Sequence, residues 1–141
     1  MIHHSFTPDT PTVSWGAVER YHREVKGWLD VGYHYGVERI ADGYYAILGR
    51  AEGKDAAACF QDGMNKTAVH ICCIGNYDLV APPQGMIDVM IKRIILPVMS
   101  RHGLPVANII GHRDHAPYKT CPGSQFDLGA LQDRVRSALA Q

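Results

Sequence analysis

Long apolar runs are missing from this 141-residue chain, so no segment is expected to insert into a membrane. The opening MIHHSFTPD lacks the basic and apolar regions of a secretion signal, which makes the cytoplasm the expected location. Excess charge of one sign is missing too. The 14 Lys and Arg balance the 14 Asp and Glu, and the isoelectric point is near 7.1. Nucleic acid is therefore not an expected partner. Neither CxxC nor HxxxH occurs, which excludes the zinc-finger patterns. No repeat, low-complexity tract or linker breaks residues 1–141, which are expected to form a single domain.

The four cysteines lie at 59, 72, 73 and 121. Cys72 and Cys73 are adjacent in the apolar run AVHICCIG, and neighbours on a strand point to opposite faces. They read as small core residues, and reduced thiols are expected. Cys121 differs, sitting among Lys, Pro and Gly.

The patterning is that of an α/β protein. In SWGAVERYHREVKGW, Val18, Tyr21, His22 and Val25 recur at helical spacing, with Ser14 as N-cap and Gly27 as terminator. VGYHYGVER and GYYAILG read as strands joined by a turn at Asp42-Gly43. Residues 50–68 read as a long loop, and AVHICCIGN as a strand central to a sheet. Met86, Ile87, Met90, Ile91, Ile94, Ile95 and Val98 mark one face of a helix over 85–102, kinked near Pro97 and ended by Gly103. ANIIGH reads as a short strand that delivers His112. Leu128, Leu131, Val135 and Leu139 form the inner face of a last helix. The expected architecture is a central mixed β-sheet of four to five strands flanked by helices.

GHRDHAPYKTCPG, residues 111–123, concentrates two histidines, a lysine and a cysteine in one irregular segment. A catalytic zinc takes three protein ligands from His, Cys or carboxylate and keeps a fourth position for water. His112 and Cys121 are nine residues apart across a proline-stiffened loop, and His3 or His4 is available as a third ligand. That spacing by itself leaves the metal open. His22, His70, His102 and His115 read individually as core or surface residues, Lys119 as a solvated loop lysine, and Asp114 as a turn cap.

The ordered set HHS, GWLDVGYHY, DG…GR, GMNKTAVHICCIGNYD and GHRDHAPYKTCPG resembles the zinc-dependent N-acetylmuramoyl-L-alanine amidases and peptidoglycan recognition proteins. GWLDVGYH and KTCP look closest to the phage T7 lysozyme branch. The resemblance implies Zn2+ bound by His3, His112 and Cys121, with Tyr33 and Lys119 as catalytic residues. It implies that His34 and Asn65 contact substrate. Two imidazoles and one thiolate would leave zinc a net charge of about +1, enough to acidify a bound water. Lys119 would stabilise an oxyanion, and Tyr33 would orient the water or donate a hydrogen bond. The implied substrate is peptidoglycan or a muropeptide, cut between N-acetylmuramic acid and L-alanine by a monomer. The absence of a secretion signal fits a phage endolysin awaiting release, or a cytoplasmic recycling enzyme.

Two other classes compete. A non-catalytic peptidoglycan-binding module would share the fold, but such relatives lack the ligand cysteine that stands here as Cys121. A cysteine hydrolase would use Cys121 as nucleophile with His112 or His115 as base.

Overall fold

The computed structural model describes residues 1–10 and 14–141. Four strands, β1 (Ile2–His4), β2 (Tyr35–Ile40), β3 (Gly43–Leu48) and β4 (Ile71–Cys73), form one mixed sheet in the order β1-β4-β2-β3. β4 pairs in parallel with β1 and β2, while β2 and β3 form an antiparallel hairpin. Every residue of β4 is buried, as expected of a central strand apolar on both faces.

Strand alternation divides the core. Cys73 packs with Val37 and the buried faces of the helices at 84–102 and 128–139, whereas Cys72 packs on the opposite face with Trp15, Val31 and Ile74. His3 and Gly36 are register partners of Cys72, so both share its face of the sheet. At Gly36 an added Cβ would lie 2.3 Å from the Trp15 ring. Glycine there lets the indole pack directly against the strand.

α1 (Trp15–Arg20) runs into a five-residue π-helical turn, Tyr21–Val25, and Gly27 follows with φ +69°. The wider turn shifts the helical phase. Trp15 and His22 are buried, while Tyr21 and Val25, expected inside, are exposed. Ser14 makes no side-chain cap; the Glu38 carboxylate in β2 accepts from the Trp15 N–H at 2.8 Å instead. The strand expected to begin at Val31 begins at Tyr35, and the hairpin turn is Ala41-Asp42, with Ala41 at φ +53°. The expected loop 50–68 contains a 3-10 turn at Gln61–Gly63 and the short helix α2 (Met64–Thr67).

The helical run over 84–102 comprises α3 (Gln84–Met90), a π turn at Ile91–Ile95 and α4 (Leu96–His102). All seven apolar positions named for this face are buried. Pro97 has no N–H to donate back to Arg93, and the π turn directly before it absorbs that interruption. Gly103 caps the run in the left-handed region, φ +62°. ANIIGH does not form a strand. Its first two residues end a 3-10 turn, Val106–Asn108, and it then touches β1 through a single bridge, Ile2 to Gly111. α5 (Leu128–Leu139) starts at Asp127, whose carboxylate accepts from Ala130 N at 2.9 Å. Leu131 and Val135 are buried, but Leu139, in its last turn, is exposed.

Candidate metal centre

His3 and Cys121 are 118 residues apart in sequence, yet His3 Nδ1 lies 3.7 Å from Cys121 Sγ. The His3 and His112 ring centres are 4.8 Å apart. One ligand-type atom each from His3, His112 and Cys121 fall within 4.8 Å of one another. β1 brings His3 there by pairing with β4, and the Ile2 N–H, bonded to the Ile110 carbonyl at 2.8 Å, docks the His112 segment against the same strand.

His112 opens a 3-10 turn, His112–Asp114, stapled by Asp114 Oδ2 accepting from Gly111 N at 2.7 Å. Arg113 ties this turn to the cysteine loop. Its guanidinium donates to the carbonyls of Gly123 at 2.6 Å and Phe126 at 2.8 Å, and its N–H donates to the Cys121 carbonyl at 2.8 Å. Asp78 holds the loop from the other side, accepting from Ser124 N and the Thr120 hydroxyl. At Gly123, φ +128°, a Cβ would sit 2.4 Å from the Tyr77 backbone, so glycine is needed for this approach.

The donors carry the right protonation for a metal, apart from one proton. Burial, then the neighbouring His70 and His112 rings, hold His3 well below its ordinary pKa. Burial and the Lys119 charge lower His112 to about 4. Both imidazoles are therefore neutral at pH 7 and offer lone pairs. Burial pushes the Cys121 thiol up to about 11, against a backbone hydrogen bond from His4 and the charges of Lys119 and Arg113. A thiol so protonated is a poor nucleophile, and a cation that displaces its proton makes it a good ligand. Two neutral imidazoles and one ionisable thiol fit zinc.

The sequence left His3 and His4 as alternatives, and their surroundings differ. The His4 ring turns to Tyr77, accepting from its N–H at 3.1 Å, and only His3 joins the cluster. His115 pairs with Asp62 at 2.7 Å, outside the cluster. The Tyr33 ring centre is 5.3 Å from that of His3. Burial, then the nearby thiols of Cys72 and Cys121, hold its phenol well above the ordinary range, so it keeps its proton at neutral pH. Tyr33 lies in the segment leading into β2 rather than in the strand. Lys119 is exposed at the edge of the groove containing these residues.

Two expected substrate contacts are placed differently. His34 is 1% exposed, and its ring atoms bond to the backbone of His70 and Lys54, leaving no nitrogen for a substrate. Asn65 Oδ1 accepts from Ala58 N and Cys59 N, both at 2.8 Å, and so shapes the loop whose Ala57 and Ala58 form one groove wall.

The sequence reads His22 and His70 as core or surface residues, and both are buried, but their partners are not legible in it. His70 Nδ1 lies 2.8 Å from His3 Nε2, and His70 Nε2 lies 2.8 Å from the Met64 carbonyl. Burial lowers His70 to about 4, so it too is neutral. His22 accepts from Gly32 N at 3.0 Å and tilts against Trp28 in the groove wall. Helical spacing places His22 on one face of the first helix, whereas nothing local in the sequence pairs His70 with His3.

The groove measures about 450 Å3, and Phe6, Trp28 and Tyr118 add aromatic surface to its walls. A larger cavity of about 630 Å3 lies between β1, α4 and residues 104–110, and holds none of the three clustered donors.

The N-acetylmuramoyl-L-alanine amidase family model matches residues 1–124. The chain belongs to this amidase family. It is 33% identical over 129 residues to the endolysin of Enterobacteria phage K11, covering 90% of this chain and 80% of that protein. A variant of Drosophila peptidoglycan-recognition protein LB, solved in complex with tracheal cytotoxin, superposes with a TM-score of 0.71. Its identity is 25%, over 89% of this chain and 74% of that one. The endolysin amidase LysCS from Clostridium intestinale shares the fold, with a TM-score of 0.73 at 19% identity over 96% of this chain and 80% of its own. Among the described residues, no helix is long and apolar enough to cross a membrane.

Proposed function

We propose that this protein hydrolyses the amide bond between N-acetylmuramic acid and L-alanine in peptidoglycan or its fragments, with zinc held by His3, His112 and Cys121. One observation carries the reading: a complete neutral-imidazole and thiol donor set converges at the base of an open groove in an amidase-family chain. Bound zinc supplies a Lewis acid that acidifies water and polarises a carbonyl.

The chain's own residues supply the rest. Tyr33, held as the neutral phenol beside His3, donates a hydrogen bond to the oxygen on which negative charge develops. The Lys119 ammonium, whose field reaches both His112 and Cys121, stabilises the same charge. Phe6, Trp28 and Tyr118 provide apolar faces for sugar and peptide, and Asn65 fixes the Ala57–Ala58 wall. The complex of the Drosophila relative with tracheal cytotoxin supports a muropeptide-sized ligand. Likeness to phage endolysins supports synthesis in the cytoplasm followed by release.

A complete donor set also weighs against a purely binding role, and the protonated Cys121 weighs against a cysteine hydrolase. The test is a digest of defined muropeptides with products identified by mass, run with zinc and after chelation. Free L-alanine-terminated peptide that vanishes on chelation and returns with zinc is the expected result. Full activity in metal-free protein would overturn the proposal.

A further inference from the structure

The hydrogen-bond partners of His70 determine where its proton sits. The Met64 carbonyl can only accept, so His70 Nε2, 2.8 Å away, carries the hydrogen. In a neutral ring the other nitrogen, Nδ1, is then a bare acceptor. His3 Nε2 lies 2.8 Å from that acceptor and must itself carry a hydrogen. The lone pair of His3 is thereby left on Nδ1, the nitrogen that faces Cys121 Sγ at 3.7 Å.

His70 is fixed in turn from behind. Its backbone N–H donates to His34 Nδ1 at 3.0 Å, and His34 Nε2 donates to the Lys54 carbonyl at 2.8 Å. Both outer carbonyls, Lys54 and Met64, belong to the segment that also carries the groove-wall residues Ala57 and Ala58. A ring path thus runs from the Met64 carbonyl through the buried rings of His70 and His3 to one metal-facing nitrogen, while His34 holds the His70 backbone.

We infer that His70 is a positioning residue: its Nδ1 accepts the His3 Nε2 proton, which selects His3 Nδ1 as the metal-binding atom and fixes the ring's direction. The inference rests on the zinc reading above. It does not make His70 a ligand, because both of its nitrogens are occupied by His3 and Met64. A partner that orients a metal-bound histidine typically changes metal affinity by about 10- to 100-fold when removed.

The test has one arm that needs no metal. Long-range 1H–15N spectra of zinc-free protein near neutral pH report which His3 nitrogen is protonated, and Nε2–H is expected. A His3 protonated on Nδ1 overturns the inference. The second arm measures zinc affinity by chelator competition for wild type, His70→Leu and His70→Asn. The asparagine Oδ1 stands where the histidine Nδ1 stood, so His70→Asn should keep affinity within a few-fold, while His70→Leu should lose about 10- to 100-fold. Equal affinity of His70→Leu and wild type overturns the inference, as does a His70→Asn variant that loses affinity like His70→Leu. If His70→Leu does not fold, wild type against His70→Asn and the tautomer spectra decide. A wild type that binds no zinc would instead overturn the metal reading, and the metal-free spectra keep the two failures apart.

Discussion

Acidifying the metal-free protein should unfold it well before its carboxylates are protonated. Six of the eight histidines, His3, His4, His22, His34, His70 and His112, are buried. For His70, burial takes the pKa from 6.5 to about 4. The unfolded chain therefore binds more protons between these values, so stability is full above about pH 6.5 and falls as pH drops towards 4. At about 1.36 kcal/mol per pH unit, His70 alone removes roughly 3 kcal/mol across that window. His3, on the same cluster and equally buried, shifts in the same direction. A domain of ordinary stability has only about 5–15 kcal/mol to lose. Glu52, despite opposing burial, is held at about 2 by hydrogen bonds from Arg101, Tyr35 and His102, so its contribution is lost only at lower pH. Urea titrations in the presence of chelator, followed by circular dichroism from about pH 7.5 to about pH 4.5, read this directly. The midpoint should fall steeply below about pH 6.5, and His70→Asn should flatten the slope. A midpoint constant over the whole range would refute the assignment of the His3 and His70 rings as buried and neutral.

Zinc affinity should rise about tenfold per pH unit above about pH 6, because both imidazoles are already neutral and binding releases one proton, from the Cys121 thiol at about 11. An affinity independent of pH, measured by competition with corrections for the chelator, would remove Cys121 from the ligand set. Tyr33→Phe and Lys119→Ala should keep zinc and fold but lose on the order of 10²-fold in kcat. If Lys119→Ala raises only KM, its charge attracts substrate and does not stabilise the transition state. Gly36→Ala forces a Cβ into the Trp15 ring and should cost on the order of 1–3 kcal/mol in urea unfolding. A wild-type midpoint would show that the indole moves aside freely.

Local periodicity reached much of the architecture. The spacing from Met86 to Val98 determined a buried helix face, and the apolar AVHICCIGN determined a central strand, because burial on one or both faces leaves a repeat in the sequence. Composition and spacing left the metal and the choice between His3 and His4 open; the resemblance of the ordered motifs to the amidase family is what singled out His3, His112 and Cys121, with Tyr33 and Lys119 beside them. Phase was lost where backbone geometry changed. The π turn at Tyr21–Val25 put Tyr21 and Val25 outside, and ANIIGH became a bridged 3-10 segment rather than a strand. What only the tertiary structure decided was partnership across distance. The parallel register of β1 on β4 carries His3 to His112 and Cys121. The same register turns its other ring nitrogen towards His70, while His34, a tempting groove residue, is consumed by backbone groups. A sequence states which side chains can accept or donate, but it does not state which atom each one meets. That follows from strand pairing between segments some 70 residues apart, for which no local repeat exists.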